Sequence, residues 1–205
     1  SICIKAFTKD SDNVGPIIEF ETNGSTTYKR TQGTKVTVTD PSGVNNSTLR
    51  YVWTQSTSQP IDSEFNGIYE NNSVVSNSKD TGNNWYLWVV AKDLQGNTTY
   101  KRTEAFYLDN TLPTAPTITS NAQNNIYTKD NASSESLEFT LSGSTSPSGI
   151  ARYQYSLNNG TTWNDISGTI EINKSGIYQI RARAVSNVGL TGSESETYII
   201  KIDKD

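Results

Sequence analysis

Between Trp85 and Ala91 the chain places Trp85, Leu87, Val89 and Ala91 on one side, with Tyr86, Trp88 and Val90 on the other. The stretch from Tyr178 repeats the pattern, with Tyr178, Ile180, Ala182 and Ala184 on one face. A period of two is the mark of a half-buried strand, because successive side chains of a strand point to opposite faces. Gly96 and Gly189 follow at matching positions as turns. A last strand is predicted after each, over 103–108 and 197–202, with Phe106 and Leu108 matching Ile200 and Ile202.

The self-similarity extends upstream. Pro41-Ser42-Gly43 recurs as Pro147-Ser148-Gly149, and each is followed by an aromatic strand, one holding Tyr51 and Trp53, the other Tyr153 and Tyr155. The first copy carries extra residues over 45–48, which a surface loop absorbs at little entropic cost. In the second copy Asn159-Gly160 lies between β-rich runs and signals a hairpin. The first copy diverges there, over 54–61. Ala105 to Asp109, leading to Pro113 and Pro116, resembles Ala6 to Asp10, leading to Pro16. Residues 1–12 therefore read as the end of a preceding module or a linker, 13–112 as a first domain and 113–205 as a second. The pattern predicts an all-β chain of two tandem immunoglobulin-like or fibronectin-III-like sandwiches. Prolines at the junction fix φ and are expected to hold the modules extended, end to end.

Composition narrows the function. The 205 residues are 33% hydrophobic and 19% charged, with 10% aromatic. The aromatic and β-branched residues supply enough burial for a folded chain with polar loops. A net charge of −4 without a basic cluster lacks the footprint of a nucleic-acid binder. No apolar run of bilayer length and no signal-peptide pattern is present in this sequence, so no membrane insertion is expected and the stretch reads as internal to a longer protein. Histidine is absent and Cys3 is the single cysteine, which removes a Ser-His-Asp triad, a Cys-His pair and any intrachain disulfide. The chain is expected to be catalytically inert.

Ala91-Lys-Asp93-Leu-Gln-Gly96-Asn97, followed by a strand and Leu108-Asp-Asn-Thr-Leu-Pro113, resembles the bacterial Ig-like repeats of Gram-positive surface proteins. The run from Tyr155 through Asn159 and Gly160 to Trp163 is similar to the hairpin of the same repeats. The second copy departs at Ser186, where that family has Asp. The resemblance implies a scaffold at the cell surface or in the wall, with neighbouring Ig-like modules in the same chain and a glycan or protein ligand of host or cell wall. It names no ligand.

Two constellations carry candidate chemistry. Asp10, Asp12 and Asp109 lie at module junctions, where hard carboxylate oxygens can hold calcium, although Asp is also a common turn residue. Trp53, Trp88 and Trp163 are the candidate aromatic platform for a sugar, because indole faces stack on pyranose rings. Trp85 is assigned to the core by its alternation with Leu87 and Val89. The leading expectation is thus a structural and adhesive module pair, a stalk or spacer. The alternative is a carbohydrate-binding accessory module of an exported, glycoside-active enzyme.

Overall fold

The computed structural model describes residues 12–129 and 137–203. The chain divides into two compact units, Ser1–Leu108 and Asp109–Asp205.

In the first unit β1 (Ile17–Phe20), β3 (Gln32–Thr39) and β6 (Ser73–Asn77) form one antiparallel sheet in the order β1-β3-β6. The second sheet runs β2-β9-β7-β4-β5, from β2 (Ser25–Lys29), β9 (Phe106–Leu108), β7 (Gly82–Lys92), β4 (Arg50–Thr54) and β5 (Gly67–Ile68). β8 (Thr98–Arg102) also pairs with β7. The second unit repeats this wiring. One sheet is β10 (Thr117–Ser120), β12 (Leu137–Ser142) and β15 (Ile170–Ile172). The other is β11 (Tyr127–Lys129), β17 (Tyr198–Asp203), β16 (Gly176–Ser186), β13 (Ile150–Ser156) and β14 (Asn164–Asp165), in that order. In each unit a short early strand, β2 or β11, lies parallel to the final strand. Two facing sheets with this crossed connectivity are immunoglobulin-like and fibronectin-III-like β-sandwiches. Among the described residues no helix is long and apolar enough to cross a membrane.

The alternation read from the sequence sets the register. Leu87, Val89 and Ala91 on β7, and Ile180, Ala182 and Ala184 on β16, are all fully buried. Leu87, Val89 and Ala91 meet the opposite sheet through Ile18, Val36, Val38 and Val75, and Ile180 clusters with Phe139 and Ile172 in the second unit. The two cores share no residue. A one-residue slip would turn every one of these side chains to solvent, which is why the pattern specifies the pairing so strongly.

Tyr69, packed edge-to-face on Tyr51 in the first core, buries its hydroxyl without a hydrogen-bond partner among the described residues. Burial pushes its phenol well above the ordinary tyrosine value. Removing an unsatisfied buried hydroxyl relieves its desolvation cost, so Tyr69→Phe is expected to stabilise the first unit by about 1 kcal/mol in chemical denaturation.

Two departures from the sequence reading have local causes. The strand expected over 103–108 is interrupted, because Thr103 turns inward and bonds β7 twice. Its N–H donates to the Leu87 carbonyl at 3.0 Å and its hydroxyl accepts from the Leu87 N–H at 3.0 Å. That leaves β8 and the short β9. Secondly, the turn at Asn159 and Gly160 exists, with φ of 55° and 88°, but sits within a longer β13–β14 connection. There the Asn158 side chain gathers Ser156 and Thr162. The chain divides into its two units after Leu108. Residues 109–116 are bonded into the second unit, Thr114 to Thr145 by three hydrogen bonds. Pro113 packs against Gly192 so closely that a Cβ there would collide with the Pro113 carbonyl oxygen.

Candidate functional site

Three carboxylates that are far apart in sequence meet in the first unit. Asp40 begins the loop after β3, Asp93 follows β7, and Asp12 lies on the segment leading into β1. One oxygen from each falls within 4.8 Å of the others. The loops are set by their own turn chemistry. Asp40 accepts from the Ser42 N–H at 2.7 Å and the Ser42 hydroxyl at 2.6 Å. The Gly43 carbonyl accepts from the Leu94 N–H at 2.9 Å, which draws the two loops together. Asp93 is 1% exposed. Its carboxylate accepts from the backbone N–H of Gln95 and Asn97, each at 2.8 Å, and from the Asn97 side-chain amide at 2.6 Å. The same amide donates to the Asp12 carbonyl at 2.9 Å, so Asn97 ties the incoming chain to the loop.

Burial on its own would raise the Asp93 carboxyl, but the bonds from the Asn97 side chain and from the loop N–H groups outweigh it and hold the group below the ordinary aspartate value. Among the described residues no lysine or arginine forms an ion pair with the three acids. The donor set is hard oxygen, the kind calcium takes, yet three protein oxygens are well short of the roughly six to eight that calcium coordinates. Asp93 also has its lone pairs engaged by the loop. The arrangement is that of a loop staple.

The second unit supplies the comparison. Ser186 stands where Asp93 does and makes the same backbone ring: its hydroxyl accepts from the Leu190 N–H at 3.1 Å, and its own N–H donates to the Leu190 carbonyl at 2.9 Å. Ser146 stands at the place of Asp40. Asp93→Ser is therefore expected to keep the loop and the fold while lowering the unfolding temperature at neutral pH. The sign with pH follows from the depressed folded value. The carboxylate contributes fully above the unfolded aspartate value of about 3.9 and loses its contribution as pH falls through the lower folded one. Melting curves of the variant and the parent should thus converge at acid pH.

Of the described junctional acids read from the sequence, Asp12 joins this cluster and Asp109 does not. Asp10 lies outside the described residues. Asp109 is fully buried in the second unit and is engaged in a turn. Its carboxylate accepts from the Ser146 hydroxyl at 2.7 Å, the Ser148 N–H at 3.0 Å and the Thr111 N–H at 3.1 Å. The sequence reading missed Asp40 and treated Asp93 as part of a turn motif. Only the topology places the two side by side.

Of the tryptophans expected to form a platform, Trp53 and Trp88 fall on opposite faces of one sheet. Trp53 and Leu87 oppose each other on β4 and β7 and face the core, whereas Val52 and Trp88 oppose each other on the outer face. Trp88 is covered by the loop after β4, where Phe65 packs on it and the Ser56 carbonyl accepts from its indole N–H at 3.3 Å. That loop takes from solvent an indole that the strand directs outward. Trp163 belongs to the second unit and carries the Arg183 guanidinium 4.1 Å above its ring. Trp85 is the partner that Trp53 does have. Both line an open cleft of about 750 Å³ with Thr54, Gln55, Ser56 and Thr57.

A comparison with protein-family models and with curated proteins finds no match. Solved structures that resemble the chain include the fibronectin(III)-like modules of CbhA from Clostridium thermocellum. Identity there is 14%, with 92% of this chain and 95% of that one covered and a TM-score of 0.35. The FN1-FN3 domains of chicken CNTN1 are 15% identical, over 93% of this chain and 67% of that one, with a TM-score of 0.32. Dimeric latent PorU from Porphyromonas gingivalis is 13% identical over the whole of this chain and 22% of its own, with a TM-score of 0.34. Likeness at this level carries no information about ligand or role.

Proposed function

We propose that this chain is a non-catalytic pair of immunoglobulin-like modules that serves as a spacer with an adhesive surface in a secreted or surface-anchored protein. One observation carries the reading: the same closed sandwich is built twice, each copy around its own core. Modules that bury their apolar surface internally are suited to being strung in series. The acids are consistent with this use, because Asp93 and Asp109 have their oxygens committed to fastening loops rather than presented to a substrate. The Gram-positive surface is the setting that the Ala91-to-Asn97 motif suggests.

Small-angle scattering tests the spacer. A single compact domain of this length has a radius of gyration of roughly 17 Å. An extended pair is expected to exceed that clearly and to give a correspondingly long maximum dimension. A value at the compact limit would rule out the spacer geometry.

A further inference from the structure

The cleft between Trp53 and Trp85 has a chemistry of its own. It opens where β4 ends and β7 begins, at the rim of the first core. Trp53 packs on Phe106 with ring centroids 5.6 Å apart, and Trp85 lies opposite Phe106 in the β7–β9 register. Both indoles are half-buried, anchored on the core side and bordering the cleft on the other. The rest of the lining is Thr54, Gln55, Ser56 and Thr57, which offers hydroxyls, one amide and no charge. The cleft is shallow and wide open to solvent, a surface that a ring can lie across and not a pocket that encloses one.

The walls are held before any ligand arrives. The Trp85 indole N–H donates to the Thr81 carbonyl at 3.0 Å, and the Gln55 amide donates to the Asn84 side-chain oxygen at 2.9 Å. The Ser56 N–H donates to the Thr54 hydroxyl at 3.1 Å. Groups fixed in this way lose little freedom on binding. A second cleft of about 570 Å³ lies along the same loop and shares Trp53, Thr54 and Ser56.

We propose that the Trp53–Trp85 cleft of the first unit binds a neutral oligosaccharide, with the C–H face of a pyranose ring against an indole and its hydroxyls bonded to Gln55, Ser56 and Thr57. An anionic ligand finds no opposite charge in the lining. A purely apolar ligand strips water from four polar side chains without replacing their hydrogen bonds. A sugar satisfies both halves of the lining, since it has an apolar face and an equatorial rim of hydroxyls. The inference rests on the adhesive side of the proposed function and not on the spacer geometry, which scattering tests separately.

The experiment is a titration of the ¹⁵N-labelled chain, followed through the indole N–H signals of its tryptophans. The probes are cellohexaose, mannohexaose and the hexamer of N-acetylglucosamine, with hexagalacturonate as the anionic control. At least one neutral probe is expected to shift the Trp53 and Trp85 signals saturably while leaving Trp163 in place, and hexagalacturonate to shift none. Trp85→Ala is expected to weaken binding roughly tenfold, the equivalent of one stacking contact. Because that variant also opens the core rim, the exposed pair Gln55→Ala and Thr57→Ala serves beside it, with the unfolding midpoint retained and the affinity reduced. No shift with any neutral probe, equal shifts at Trp163, or unchanged affinity in the Gln55/Thr57 variant would each overturn the proposal.

Discussion

Phe106→Ala is expected to unfold the first unit at a much lower temperature while leaving the second unit's transition where it was. Phe106 is fully exposed to neither solvent nor edge: it is completely buried, stacks edge-to-face on Trp53, and sits in the three-residue β9 between β7 and β2. Truncating a buried phenylalanine costs about 3–5 kcal/mol, from lost transfer energy and the cavity left behind. The site has little means of collapsing, because its neighbours are backbone-fixed on β7 and β2. In a unit of this size such a loss lowers the midpoint by roughly 15–30 °C. The second core, built on Phe139, Ile180 and Ile200, shares no residue with the first. Calorimetry should therefore separate a shifted transition from an unshifted one. A single transition that moves as a whole would mean that the two cores are thermodynamically coupled.

How much of this was readable beforehand differs by feature. The core register was legible, because Leu87, Val89 and Ala91 and their counterparts Ile180, Ala182 and Ala184 are contiguous along one strand each, and a strand's periodicity is local. The cover over Trp88 was not, since Phe65 comes from an irregular loop in the copy that diverges, and such a loop has no period to read. The meeting of Asp12, Asp40 and Asp93 was hidden for another reason. Each acid has an ordinary turn role in its own loop, and only the sandwich wiring brings the three loops to one pole. Trp85 shows the limit of alternation itself. It does fall on the core face, as its spacing with Leu87 predicts, but at the end of the strand the core runs out. A residue in register with buried neighbours then becomes half a wall of a cleft.

Asp109 shows how one residue type supports two different readings, and its substitution carries the other large expected effect. Its place beside the junction prolines suggests an oxygen donor for a cation. In the fold, its carboxylate instead accepts hydrogen bonds from the Ser146 hydroxyl, the Ser148 N–H and the Thr111 N–H, in a fully buried position. Burial alone would raise its carboxyl, but the bonds from Ser148, Ser146 and Thr111 outweigh that and hold it below the ordinary aspartate value. Asp109→Ala strands buried donors without an acceptor, and the expected loss is about 3 kcal/mol, the scale for hydrogen bonds to a charged group and for the donors left behind. Asp109→Asn keeps an acceptor oxygen but loses the charge, and should fall between the two. The pH dependence separates this structural role from a cation-binding one. Because the folded value is depressed, the carboxylate's stabilisation is complete above about pH 4–5 and disappears as the pH falls through the folded value. Parent and Asp109→Asn should therefore differ most at neutral pH and converge in acid, and the difference should be the same in calcium and in chelator. A gap that opens only when calcium is added would show that Asp109 serves an ion instead of the turn at Ser146–Ser148.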